Sequence, residues 1–546
     1  MKNSLSKDTA IEEKLFARKA SGLIKEANTS QATFFNIANI MGSKFAWSVA
    51  YLGLFPVALI MGTPPYILGI LLFGLASYIL AIIYVQITTP MPRSGADYVI
   101  PARLMGPFWG WINSWMIVWS WTPVWSWMAW VTTRNIKQLV DIMRISGLTD
   151  ASIPWLLDPP NSIYVGCAVI IIGMLAVMMP PRKYYRLIAA LGIFSILSLV
   201  IIAVGTAGIS PATFAANMKT LLGTSPSELV NTAIKNGYDP NSGYDMVSAA
   251  GLAGYILFVI GGFQYSASIS GEMRGDVKKS LTISILGSLT FFMVFSVGLI
   301  WFMLNQFGYD FTVGWSYLFW NARSAAPLRL PPINALLLTV ALPNLYPLWI
   351  IAGIAAVIGA WLVIPASMLY INRLCLAWGI DRMIPKSISE VHPKYRQPMK
   401  LVLIEGILGV IFYLVLILAP DFNPVNYAWW NTLMFMPSYI FPAICALLLP
   451  RRRPDLAKAV PWRKWLAPLA ILWLIIIIPF YVFAGVIGSV PPLTPGLSFA
   501  EYAISTGLIA TIVTVVIGIV IYYLVRWHNL KHGIDFKQIF QTIPPE

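Results

Sequence analysis

Charge is scarce in this sequence. Only 11% of its 546 residues are Asp, Glu, Lys or Arg, while 58% are hydrophobic, where a soluble domain carries about 25% charged residues. With a mean hydropathy of +0.73, a soluble globular class is excluded and a polytopic membrane protein is expected. Cysteine is almost absent too: Cys167, Cys375 and Cys445 all lie in or at the ends of apolar segments, without a disulfide framework or metal spacing. The three histidines, His392, His528 and His532, fall outside the apolar runs, which excludes a histidine relay or zinc site at membrane depth. No cofactor motif is present, and nothing in the sequence sets an oligomeric state. The first thirty residues mix both signs of charge and lack an apolar h-region, so no cleavable signal peptide is expected.

What is present is long apolar segments. By the ~20-residue criterion for a spanning helix, twelve spans are expected. The first six are 31–60, 66–89, 107–133, 162–180, 187–209 and 246–270. The others are 281–304, 346–371, 401–420, 427–449, 465–489 and 503–525. Lys and Arg set the orientation. With a cytoplasmic N-terminus, 29 of the 37 fall inside, 7 outside, and Lys44 alone within a span. Both termini are therefore expected in the cytoplasm of a plasma-membrane protein. The formal charge of +15 then reflects topology and contact with anionic lipid, and no nucleic-acid partner is implied. The outer connections 134–161, 210–245 and 305–345 are expected to carry short helices. Around Ile11 to Ala20, either an interfacial helix or a plain solvated tail fits.

Two spans are interrupted. Span 1 holds Asn39, Met41, Gly42, Ser43 and Lys44 near its middle. A glycine there weakens a helix by about 1 kcal/mol, and a lysine costs roughly 2.5–3.5 kcal/mol. Such features are tolerated where they line a cavity or are buried in protein. Span 6 repeats the pattern with Phe258, Gly261, Gly262 and Gln264. Five spans separate the two breaks, so the spans 1–5 and 6–10 run in opposite senses. Paired breaks in inverted halves mark a secondary transporter's binding site. Half-helix N–H groups face a substrate carboxylate, and unwound carbonyls accept from an ammonium. The alternative for Gly261-Gly262 is a close helix–helix contact.

Three further stretches carry a family resemblance. Pro92-Arg-Ser-Gly-Ala-Asp-Tyr98 followed by Gly106-Pro-Phe-Trp-Gly110 resembles the P-x-S-G-G-x-Y … G-x-x-x-G signature of the amino acid–polyamine–organocation (APC) permeases. Asn372-Arg373-Leu … Asp381-Arg-Met-Ile-Pro385 … His392-Pro-Lys … Gln397-Pro398 resembles that family's loop after the eighth helix. Ser266 to Glu272 with Lys278-Lys279 is similar to the end of its sixth helix. Asn39-Ile-Met-Gly-Ser43 resembles the first-helix motif of the arginine/agmatine antiporter branch. The resemblance implies an all-α membrane protein of leucine-transporter type, with 31–209 and 246–449 as two inverted five-helix repeats. The other parts are a 1–30 tail, a 210–245 extracellular connection, an extra helix pair in 450–526 and a 527–546 tail. It also implies transport of amino acids or related amines.

Lys44 departs from the family pattern, which has glycine there. It could pair with a substrate carboxylate, titrate during the cycle through its desolvated ammonium, or replace a sodium ion; structural pairing is the alternative. Gln264 stands where one branch has glutamate, so the expected site favours anionic or neutral substrates over arginine, lysine or polyamines. Glu272 and Glu405 are the only acids expected in or near the spans. Ser367 is the only hydroxyl between Gly353 and Asn372, which argues for proton coupling or exchange over sodium. In span 3, Trp115 and Trp119 lie deep enough to line or gate the site, with core packing as the alternative. Asn113 and Asn431 are expected to serve bundle hydrogen bonding. A membrane enzyme would need paired carboxylates or histidines, and a channel would need charged or carbonyl rings; neither pattern is present. A sensor on a transporter fold fits the same sequence.

Overall fold

The computed structural model describes residues 22–41, 65–241, 249, 253–254, 256, 259–419, 424–486, 506–534 and 536–543. Among these the chain is all helical, with one isolated bridge, Ala27 to Met273, and no strand. Helix is what such long apolar runs require, since it closes every backbone hydrogen bond within one segment.

In chain order the elements are α1 (Thr29–Met41), α2 (Pro65–Thr88), α3 (Ala96–Leu104), α4 (Pro107–Ile145), α5 (Asn161–Val177) and α6 (Pro181–Ala207). Next come α7 (Pro211–Leu222), α8 (Pro226–Lys235), α9 (Val277–Phe307), α10 (Tyr309–Asn321), α11 (Asn334–Ala341) and α12 (Tyr346–Ile380). The last are α13 (Met399–Leu418), α14 (Pro424–Phe435), α15 (Ile440–Arg452), α16 (Leu466–Phe480), α17 (Thr506–Lys531) and α18 (Phe536–Gln541). Proline opens α2, α4, α6, α7, α8 and α14, where its missing N–H has no intrahelical partner to lose.

Eight helices among the described residues are long and apolar enough to cross a membrane. They match expected spans 2, 5 and 7 to 12. Expected span 4 is α5, apolar but only 17 residues long. Expected span 3 is α4, whose eight tryptophans and polar outer turns dilute its apolarity, and which lies almost wholly inside the bundle. It also continues to Ile145, twelve residues past the expected boundary. There Lys137 bonds Asp141 at 2.5 Å one turn on, and Lys137 Nζ donates to the Leu328 carbonyl at 3.0 Å, so the polar extension is buried by pairing rather than released as loop. The short helices expected in the outer connections are present as α7, α8, α10 and α11.

Of expected span 1, α1 supplies the first half; residues 42–64 lie outside the described set. Span 6 is interrupted as its glycines suggest. Helical backbone reaches Ile260, residues 261–264 form a turn, and a 3₁₀ segment runs over Tyr265–Glu272. α4 and α12 pack along one another as the spine of the bundle. Loops after alternate spans gather at opposite ends. At one end Tyr185, Glu272, Arg373 and Gln397 meet, and Gln86 Nε2 donates to the Pro461 carbonyl. At the other, Lys137 reaches Leu328 and Arg329 pairs with Asp158.

Candidate functional site

The turn at 261–264 is held open by α1. Asn36 is fully buried; its Oδ1 accepts from Ser266 N at 2.7 Å, while its Nδ2 donates to Ser266 Oγ and to the Ser284 carbonyl, both at 3.0 Å. One turn on, Asn39 Nδ2 donates to the Gly261 carbonyl at 3.1 Å. These amides take the place of the helical bonds the turn has given up, as buried backbone groups require. Gly262 has φ +108°, and a Cβ there would stand 1.9 Å from Asn39 Nδ2. Glycine is therefore demanded twice, by conformation and by the close approach of α1.

Several polar groups are buried together at this crossing: the Asn39 and Gln264 amides and the Tyr265 and Tyr439 hydroxyls. Asn39 lies beside Tyr265, and Gln264 beside Tyr439. Gln264 Oε1 folds back to accept from Gly262 N at 3.3 Å. Buried polar groups are ordinarily paired, and here two amide–hydroxyl pairs, Asn39 with Tyr265 and Gln264 with Tyr439, form a polar cluster around one backbone break. Aromatics pack around this cluster. Tyr265 stacks on Tyr370 at 4.0 Å between centroids, and Trp121 meets Tyr265 edge-on at 5.4 Å.

Other residues singled out from the sequence lie elsewhere or outside the description. Gly42, Ser43, Lys44 and Phe258 are outside the described residues, and of Met41 only the backbone, the last turn of α1, is described. Trp115 donates to the Thr514 carbonyl of α17 at 2.8 Å and stacks with Trp111 and Trp378. Trp119 contacts Trp115 and Phe412 of α13. The tryptophan at the break is Trp121. Ser367 donates to the Val363 carbonyl at 2.5 Å and accepts from Trp125 Nε1 at 3.0 Å, so its hydroxyl is engaged within α12 and toward α4. Asn113 and Asn431 bond backbone carbonyls, of Asp97 and Ser120.

Beyond the break, the three motif stretches meet in one seam. Gly95 (φ +75°) lies where a Cβ would be 2.6 Å from the Arg373 carbonyl, and its N–H donates to the Ser268 carbonyl at 2.9 Å. Arg373 and Glu272, both essentially inaccessible, form a two-pronged ion pair at 2.5 and 3.0 Å. Tyr185 adds a bond to Glu272 at 3.2 Å, and Gln397 accepts from Arg373 at 2.9 Å. The Glu272 carbonyl accepts from the N–H groups of Glu26 and Ala27, fastening the chain ahead of α1 to the end of span 6. Arg103 of α3 pairs with Asp381 at the end of α12 and is capped by Phe540 of α18.

Buried acids are more numerous than the sequence suggests, for Asp97, Asp141 and Asp381 join Glu272 and Glu405. Asp97 sits on α3, between the expected spans. It accepts hydrogen bonds from Tyr84 Oη at 2.8 Å, Tyr370 Oη at 2.8 Å and Ser268 Oγ at 3.2 Å. Burial pushes its carboxyl above the usual carboxylate range, and the bonds from Tyr370, Tyr84 and Ser268 offset this only in part. The available sequence signal was an acid between Ala96 and Tyr98 at the head of an apolar stretch. Its partners come from three distant segments, which spacing does not reveal.

The family model described as amino acid permease matches residues 28–520. Three uncharacterized transporters, one of Mycobacterium bovis and two of Mycobacterium tuberculosis, are each 22% identical over 351 residues, 62% of this chain. The chain spans 64% of the length of these relatives. With its apolar helices, the match makes this a multi-pass membrane protein. The chain belongs to the amino acid permeases of the APC superfamily.

Proposed function

We propose that this protein is a secondary active transporter that moves amino acids or closely related small carboxylated solutes across the cytoplasmic membrane by alternating access. In this reading it has twelve spans, cytoplasmic termini and two inverted five-helix repeats. The substrate binds where spans 1 and 6 are broken, and the cycle runs by proton coupling or exchange rather than with sodium. The observation that carries the reading is the cluster of buried polar side chains, Asn39, Gln264, Tyr265 and Tyr439, around the Gly261–Gly262 turn. Free N–H groups at a helix break favour a carboxylate, and unwound carbonyls favour an ammonium. Lys44 adds a cation on span 1 where Gln264 replaces an acid on span 6, which biases the site toward neutral and anionic substrates. The engagement of Ser367 by Trp125 speaks against a sodium ligand there.

Counterflow uptake into proteoliposomes tests this. Labelled glutamate, alanine, leucine, arginine and a simple carboxylate are compared at about pH 5.5 and about pH 7.5, with and without sodium. Saturable uptake of neutral or anionic compounds, independent of sodium and abolished in Lys44→Met, is expected. Uptake confined to arginine and indifferent to Lys44 overturns the site, and no uptake of any compound overturns the transport reading in favour of a sensor.

A further inference from the structure

We infer that Asp97 is a proton-binding site, loaded while the seam next to the span 6 break is sealed and emptied when water reaches that seam. The inference rests on the transport reading and names the group that carries its proton.

Asp97 is buried where three elements meet. Tyr84 comes from α2, Tyr370 from α12 and Ser268 from the 3₁₀ end of span 6, and all three hydroxyls point at its carboxylate. Asn113 of α4 holds its carbonyl at 2.6 Å. Tyr265, Tyr439 and Cys445 complete the titratable groups around it. The arginines of the neighbouring elements are committed elsewhere, Arg103 to Asp381 and Arg373 to Glu272. Among the described residues no ion pair joins Asp97. A buried carboxylate with neutral donors only is poised between its two states, because burial disfavours its charge while the hydroxyls favour it. A cavity of about 10 Å³, bounded by Tyr84, Ile87, Asp97, Asn113 and Cys445, gives about the room one water needs to pass a proton. Hydroxyls turn freely between donor and acceptor, so Ser268 can accept from the protonated carboxyl without any change of packing.

The site is linked to the break. Tyr370, which binds Asp97, stacks on Tyr265, whose own hydroxyl lies against Asn39 at the break. Movement of Tyr265 on binding or release of substrate is therefore transmitted to a donor of Asp97. Burial outweighs the three hydroxyls in the sealed seam and raises the carboxyl above its ordinary range. Opening to water removes that effect. The proton thus binds the sealed state more tightly, and by linkage the sealed state gains stability below the ordinary carboxylate range and loses it as pH rises through the raised value. The proton goes on to a carboxylate oxygen in the sealed state and leaves to water in the open one.

Hydrogen–deuterium exchange on the full chain in nanodiscs, without substrate, tests this. Peptides covering 96–104 and 265–272 are followed from about pH 5 to about pH 8, corrected for intrinsic exchange, with about tenfold loss of protection expected per unit of difference between sealed and open values. Asp97→Asn is expected to stay protected across the range. Tyr370→Phe, which removes one donor to the anion, shifts the midpoint up by about one to two pH units. Glu405→Gln keeps the wild-type response. Protection independent of pH in the wild type, or an unaltered response in Asp97→Asn, overturns the assignment. Loss of the response in Glu405→Gln overturns it in favour of Glu405. Uptake stimulated by acid with no response at 96–104 refutes Asp97 alone, whereas an intact response with no uptake of any solute refutes transport alone.

Discussion

The Arg373–Glu272 pair should behave as a buried ion pair that is ruinous to break and cheap to delete whole. Both side chains are essentially inaccessible. Glu272 receives two bonds from Arg373 and one from Tyr185, and Arg373 gives two further donors to Asn372 and Gln397 at 2.9 Å each. In Arg373→Met the carboxylate keeps only the Tyr185 hydroxyl at 3.2 Å, and an uncompensated buried charge costs about 3–5 kcal/mol. Glu272→Leu strands the guanidinium in the same way. Replacing both removes both desolvation costs, so the double variant should regain most of the loss. The coupling energy should approach about 3 kcal/mol, the upper end for residues in contact. Unfolding free energies of the four proteins, from SDS titration in mixed micelles, measure the cycle. Single losses that simply add in the double variant, within about 0.5 kcal/mol, would refute the reasoning and relegate the pair to surface-like weakness.

Two further substitutions bear on the break and on the buried charge. Gly262→Ala forces a side chain into φ +108° against Asn39, at a strain of about 1–3 kcal/mol. It should abolish saturable uptake while circular dichroism shows the helices retained, and full uptake would show that the turn is not held by α1. Glu405→Gln should stabilise the protein by about 1–3 kcal/mol, because the carboxylate is buried with no ion pair among the described residues and only the Asn372 amide beside it. A fall in the SDS midpoint would mean that the carboxylate is bonded in the membrane.

The sequence by itself marked eight of the expected spans as long apolar helices among the described residues, because about twenty apolar residues in succession have one way to satisfy their backbone in lipid. It also marked the interruption of span 6, since Gly261-Gly262 followed by Gln264 and two serines deprives a helix of both propensity and apolar surface. The motif stretches were legible as family signatures. What they do was not: only the tertiary structure brings Gly95, Ser268, Glu272 and Arg373 into one seam, across separations that loop lengths leave open. Side-chain direction was likewise undecided. In a helix such as α4, buried around nearly its whole circumference, no apolar stripe distinguishes one face from another. Depth alone therefore nominated Trp115 and Trp119, while packing turned them toward α17 and α13 and set Trp121 against Tyr265. Asp97 makes the same point for polar residues. A connection between spans reads as solvated until the fold closes Tyr84, Tyr370 and Ser268 over it, and burial is a property of those neighbours rather than of the residue.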